Sequence, residues 1–347
     1  MTPPHLDRRS FLELGGSTAL LCSLSRATPR DVAVADRAAA KTKKPRQVGA
    51  DKLTFPTPKP APGGTVRKYW IQARSVKWSI APHTTRDEWM GMRITGKRTF
   101  TAFAYQLMSE GFATPLAKPR IPGPTLWAEV GDLLEVHFRN ADEHFEQAVT
   151  MHPHGVLYNP DYDGTYLGDF THAGGFVPPG EEFTYRWECV PGSEGAWPYH
   201  DHGPNHTVNL SRGLFGAVIV YPKGAPRPTR EYAVWMHSFM PGITGRDDVV
   251  QAINGRTGAG NTPTFTAKAG DDVSFRVFGG DANLHTFHVH GHRWRNASGV
   301  PIDNPSFGPH ESVQARWRED NPGRWLYHCH VLSHQDAGMA GWYIVDP

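Results

Sequence analysis

The chain has 347 residues, enough for two domains with sizeable cores. Its formal net charge of +2, from 36 Lys and Arg against 34 Asp and Glu, gives no bulk pull toward nucleic acid. With 30 prolines, 36 glycines and many short apolar alternations, it reads as an all-β protein with frequent turns.

In chain order, Asp7-Arg8-Arg9-Ser10-Phe11-Leu12 is similar to a twin-arginine export signal. The apolar stretch behind it, Leu14 to Leu24, is too short and too interrupted for a permanent membrane span. Export implies an extracellular or periplasmic destination, with no membrane partner. The basic run Lys41 to Arg46 lies in an Ala/Pro-rich stretch and reads as a solvated linker. Residues 1–62 are therefore expected to be signal and disordered linker, outside any fold.

From Val66 onward the chain reads as strands, and it repeats itself. Pro124-Thr125-Leu126 through Gly131-Asp132 matches Pro263-Thr264-Phe265 through Gly270-Asp271. His152-Pro153-His154-Gly155 matches His288-Val289-His290-Gly291, and Arg186-Trp187 matches Arg316-Trp317. Trp197-Pro198-Tyr199-His200-Asp201-His202 matches Trp325-Leu326-Tyr327-His328-Cys329-His330. The landmarks keep their order, so two homologous β-domains are expected, residues 63–224 and 225–347, each sized for a Greek-key sandwich. Residues 74–119, including His83, Met90 and Met92, show no counterpart and read as an insertion-like surface stretch.

The two copies differ at one constellation. The second offers a thiolate at Cys329, imidazoles at His285 and His334, and a thioether at Met339. One thiolate, two imidazoles and a weak axial thioether are the ligands of a blue-copper electron-transfer site. The corresponding places in the first copy are Val149, Asp201, His206 and Leu214, which cannot form such a site. Side chains alternate faces along a strand, so His328 and His330 point away from Cys329 and are free to bind other metal. Both copies keep both His-x-His pairs: His152, His154, His200 and His202 in the first, His288, His290, His328 and His330 in the second. Neutral imidazole suits copper. Of the remaining cysteines, Cys22 lies in the leader and Cys189 has no partner, so no structural disulfide is expected and Cys189 reads as a buried thiol.

This ordered set resembles the copper motifs of the multicopper oxidases, and the two-domain arrangement resembles the bacterial small laccases. The resemblance runs from about Val66 to Pro347 and implies two tandem cupredoxin-like sandwiches. It implies a type 1 copper on His285, Cys329, His334 and Met339, and a type 2 copper on His152 and His288. It implies paired type 3 coppers on His154, His200 and His330 and on His202, His290 and His328, making about four coppers per chain. The implied reaction takes single electrons from a reducing substrate, with His285 and His334 as the exit points, and reduces dioxygen to water. Asp163 and Tyr158 match positions near the cluster in small laccases, implying a proton relay and an electron donor; a turn aspartate and a packed tyrosine are the alternative. His172, His237, His292 and His310 are assigned to structural and supporting roles. A head-to-tail homotrimer, with the cluster between domain 1 of one subunit and domain 2 of the next, is implied. Phenolic substrates are favoured over Cu(I), Fe(II) or Mn(II), and copper nitrite reductase and copper carriage or storage rank lower.

Overall fold

A computed structural model describes Lys44 and residues 54–347. The twin-arginine-like stretch falls outside the described residues. The end of the expected linker does not lie outside the fold: the Lys59 amide donates to Glu188 Oε1 at 3.0 Å and the Ala61 amide to the Gly131 carbonyl at 2.9 Å. Among the described residues, no helix is long and apolar enough to cross a membrane.

The first half contributes β1 (Val66–Ser79), β2 (Thr99–Met108), β3 (Leu126–Glu129), β4 (Leu133–Asn140), β5 (His152–Pro153), β6 (Glu182–Glu188), β7 (Gly195–His200) and β8 (Phe215–Tyr221). They form two four-stranded sheets, β2-β1-β4-β6 and β3-β8-β7-β5. The second half begins with β9 (Arg230–Phe239), β10 (Val250–Ile253), β11 (Phe265–Lys268), β12 (Asp272–Gly279), β13 (His285–Thr286) and β14 (His288–Val289). Short pieces β15 (Trp294–Arg295), β16 (Pro301–Ile302) and β17 (Ser306–Phe307) lead to β18 (Ser312–Arg318), β19 (Gly323–His328) and β20 (Ala340–Asp346). Its main sheets are β10-β9-β12-β18 and β11-β20-β19-β14, the same orders as in the first half. The repeat in sequence is thus a repeat of topology, down to the parallel pairs β1–β4 and β9–β12. The molecule is all-β, two cupredoxin-like sandwiches in tandem.

The strands follow from alternation. In β11 the residues Phe265 and Ala267 are buried while Thr266 and Lys268 are exposed. Each sandwich closes on its own aromatic core, around Phe138, Tyr185 and Trp187 in the first and around Phe275, Tyr327 and Tyr343 in the second. A third apolar core lies between them. Strand β8 is buried along its whole length. Phe215 meets Trp235 at 4.6 Å and Phe100 meets Phe239 at 5.1 Å, ring centre to ring centre. Burying large rings on both sides of the seam resists any sliding of one sandwich on the other.

Residues 74–119 are not an insertion. They hold the C-terminal end of β1, all of β2 and their connection, and β1 pairs with β2 from Trp70↔Met108 to Ser79↔Thr99. Their counterpart is the β9–β10 pair. What differs is the connection, residues 80–98, which crosses to the second sandwich. Asp87 accepts hydrogen bonds from the Trp89 and Met90 amides and from that of Ala259. Glu88 accepts from Trp342 Nε1 at 2.8 Å and Arg324 at 3.0 Å.

Candidate metal centres

The register of the second sheet in each sandwich places the imidazoles. In the first half β5 pairs with β7 so that His152 faces His200; in the second β14 pairs with β19 so that His288 faces His328. Each His-x-His pair therefore sits beside the other at the end of one sheet. Within a chain, the ligand atoms of His152, His154 and His200 all lie within 4.8 Å of one another, and so do those of His288, His290 and His328.

Backbone carbonyls fix which nitrogen of these rings can bind metal. A carbonyl only accepts, so a ring nitrogen bonded to one carries the proton. His152 Nδ1 donates to the Asp163 carbonyl at 2.7 Å and His288 Nδ1 to that of Asp303 at 2.8 Å. His200 Nδ1 donates to the Asp201 carbonyl and His328 Nδ1 to the Cys329 carbonyl, each at 2.9 Å. All four rings thus turn their Nε2 lone pairs inward. His154 Nε2 stands 3.1 Å from His200 Nε2, and His290 Nε2 3.2 Å from His328 Nε2. Burial, with repulsion from neighbouring imidazoles, holds His154 and His328 down at about 4 and His200 well below its ordinary range. Rings kept neutral near pH 7 are in the form that ligates a cation.

His202 and His330 extend the two sets. His202 lies 5.2 Å from His152, and His330 lies 5.2 Å from His328, between ring centres. The first-half counterpart of His334 is His206, whose ring stacks on His202 at 4.7 Å. Among the described residues, no ring contact joins an imidazole of one set to an imidazole of the other.

The sulfur site lies on the other side of β19. Cys329 Sγ is 3.8 Å from His285 Nδ1 and 3.8 Å from His334 Nδ1, and all three residues are buried at those atoms. Met339 is fully buried, and its carbonyl accepts the Cys329 amide at 3.1 Å. Burial pushes the Cys329 thiol up, but hydrogen bonds with His285 and His334 outweigh it and bring it to about 6, so the thiolate prevails near pH 7. His285 Nε2 donates to Asp281 at 2.9 Å, which leaves Nδ1 for the sulfur side. Burial works against charge on His285, and Asp281 more than compensates, holding it up at about 9. His285 is completely inaccessible, so it is not the surface exit expected from the sequence; His334 alone of the pair is partly accessible.

Asp163 and Tyr158 both adjoin His152. Asp163 Oδ1 is 3.1 Å from His152 Nδ1, and the Tyr158 ring centre is 5.9 Å from that of His152. Burial raises Asp163, but its bonds to His152 and Thr165 win and keep it ionised. Burial and the Asp163 charge push Tyr158 up to about 12. The sequence reading missed Asp303, the second-half partner of Asp163; aligning Tyr162-Asp163-Gly164 with Ile302-Asp303-Asn304 finds it. Cys189 is buried and unpaired, and burial pushes its thiol up to about 12. His292 is fixed by Glu319 at 3.0 Å, and His237 accepts the Gly255 amide at 2.9 Å.

The donors fit copper. A buried low-pKa thiolate with two Nδ1 donors is a soft, low-coordinate set, and the converging Nε2 lone pairs suit the same metal. Fold and site together define a copper protein of tandem β-sandwiches with sulfur and imidazole centres. Two multicopper oxidase family models match residues 114–225 and 235–347, together more than half of the chain. The chain belongs to the multicopper oxidase family.

A probable nitrite reductase-hydroxylamine oxidoreductase fusion protein of Kuenenia stuttgartiensis is 30% identical over 66% of this chain and 28% of its own length. The ferroxidase HEPHL1 of Homo sapiens is 26% identical over 82% of this chain and 30% of its own length. The chain thus spans less than a third of these relatives. Among solved structures, a multicopper oxidase is 25% identical with a TM-score of 0.64, covering 83% of this chain and 92% of the other. A blue copper oxidase from Nitrosomonas europaea shares the fold at 23% identity and a TM-score of 0.57, covering 81% and 86%.

Proposed function

We propose that the chain is a laccase-like oxidase that takes single electrons from small phenolic or similar reductants and uses them to reduce dioxygen to water. Copper, when bound, supplies the one-electron steps and the dioxygen chemistry. The observation that carries this reading is the position of Cys329. Its sulfur belongs to the His285–His334 site, while its neighbours in sequence, His328 and His330, belong to an imidazole set on the other face. A few covalent bonds therefore join the sulfur centre to the imidazole centre.

The residues divide the remaining work. Asp281 holds His285 with Nδ1 toward the sulfur. In this reading Asp163 passes protons toward the imidazole set and Tyr158 is a reserve electron donor, which the contacts of both with His152 support. We further propose the type 1, type 2 and type 3 ligand assignment given by the motifs. The two imidazole sets of one chain do not touch, which supports a head-to-tail homotrimer pairing domain 1 of one subunit with domain 2 of the next.

Oxygen uptake with a phenol panel against Fe(II), Cu(I) and Mn(II) tests the substrate. Uptake driven by phenols supports laccase activity; uptake driven by metal ions alone favours the metal-ion oxidase that the ferroxidase relative suggests. Nitrite consumption without oxygen uptake would favour nitrite reduction. The eight imidazoles and the sulfur site in the second half argue against that.

A further inference from the structure

His310 is used by none of the centres above, yet it stands at the seam between them. It belongs to the turn leading into β18, and its ring lies 4.6 Å from that of His200 and 6.2 Å from that of His154. A residue of the second domain thus rests on the first domain's imidazole set within one chain. The turn is held rigidly. The His310 amide donates to the Gly279 carbonyl at 3.0 Å, the Gly279 amide to that of Glu311 at 3.1 Å, and Ser312 Oγ to the Ala196 carbonyl on β7 at 2.5 Å. His310 has φ 56°, a left-handed backbone that non-glycine residues seldom adopt and that the surroundings must impose.

The polar side of the ring points at a connection. His310 Nδ1 is fully buried with no hydrogen-bond partner, and so is Asp281 Oδ2. Asp281 lies two residues beyond the Gly279 anchor, and its charge acts on the His310 ring. Its other oxygen, Oδ1, holds His285. The two atoms are not in direct hydrogen-bond contact. The Asp281 carboxyl also interacts with the Ser238 side chain, and a water between a buried donor and a buried acceptor relieves the cost of leaving both unpaired.

We propose that His310 and Asp281 are positioning residues that link the His285–Cys329 site to the first domain's imidazole set through the interdomain seam of the same chain. The ring of His310 braces His200; its Nδ1 edge answers to Asp281, and Asp281 orients His285. In an oligomer closed head to tail, this seam would give each imidazole cluster a connection to a second sulfur site besides the one made through Cys329. The proposal rests on the copper reading of these residues.

The test uses the full copper-loaded protein and compares His310→Ala, His310→Phe and both changes in an Asp281→Asn background. Copper retention against a chelator reads the brace. The reduction potential and electron paramagnetic resonance signal of the Cys329 site, which His310 does not touch, read the link. His310→Ala is expected to weaken copper retention about tenfold, and His310→Phe to restore it by replacing the ring contact. Both are expected to move the Cys329-site equilibrium by up to about tenfold, or about 59 mV for a one-electron couple. In the Asp281→Asn background, His310→Phe is expected to add nothing. Unchanged retention in His310→Ala overturns the brace. An unmoved potential in His310→Phe, or equal shifts with and without Asp281, overturns the link. Wild-type protein that takes up no copper at Cys329 would overturn the copper reading instead.

Discussion

Asp201 occupies, in the first domain, the place that Cys329 holds in the second, and replacing it with cysteine tests what the two sites owe to their surroundings. Asp201 is completely buried. Its Oδ1 accepts the Thr150 amide at 2.8 Å and the Gly203 amide at 3.1 Å, and its Oδ2 accepts Asn209 Nδ2 at 3.0 Å. The carboxylate thus ties the strand ahead of His152, the turn after His202 and the helix His206–Arg212. In Asp201→Cys one weak sulfur acceptor faces these donors. Each buried donor left unpaired costs roughly 1–3 kcal/mol. Release of a buried, desolvated carboxylate offsets part of that, since burial already raises its pKa. The net loss should be roughly 3–5 kcal/mol. Urea unfolding of metal-free protein measures it without linkage to bound copper. The variant should also gain no second blue absorption, because Val149 and Leu214 stand where His285 and Met339 stand in the other copy. A loss under about 1 kcal/mol would refute the account of Asp201. A second blue centre would refute the account of what makes the first.

Other outcomes follow from the same geometry. Cys329→Ser should abolish the blue absorption and lower bound copper by about one ion per chain, leaving the imidazole sets loaded, because a hydroxyl is a poor soft ligand; metal analysis with visible spectroscopy checks it. Asp163→Asn should slow oxygen uptake by at least about tenfold and change its pH profile; an unaltered profile would remove Asp163 from proton delivery. Burial raises Glu319, but bonds from His292, Tyr343 and Trp317 outweigh it and hold the carboxyl at about 2. Its folded pKa lies below its ordinary 4.5, so its stabilisation is full above that value and is lost as pH falls toward about 2. In Glu319→Gln the metal-free thermal midpoint should therefore be lower at neutral pH and fall less steeply between about pH 5 and pH 2.

Much of this was legible in the sequence because the chain contains its own comparison. The paired His-x-His motifs and the Gly-Asp turns located both sandwiches, and Val149, Asp201 and Leu214 against His285, Cys329 and Met339 distinguished them. The structure then brought His285, Cys329 and His334 together, and gathered each imidazole set at the end of a sheet. What escaped the reading depends on contacts remote in sequence. The 80–98 connection has no long counterpart in the second half, and nothing local indicates that Glu88 reaches Trp342 and Trp89 approaches His328 at 5.8 Å. A ligand ring edge can reach solvent, which suggests His285 as an exit point; Asp281, Phe307 and His334 of its own sandwich surround it instead, and it is completely buried. His310 carried no motif, and only the left-handed turn and the seam bring it to His200.

The central claim is that a sulfur-bound copper is joined through the neighbours of Cys329 to a cluster of coppers shared by unlike domains. Anomalous diffraction at the copper edge from metal-loaded crystals addresses it directly. The account predicts one strong peak beside Cys329, His285, His334 and Met339. It predicts a separate cluster of peaks enclosed by His152, His154, His200 and His202 of one subunit and His288, His290, His328 and His330 of its neighbour. Isolated single peaks on the two imidazole sets, lying apart with no shared cluster, would contradict it.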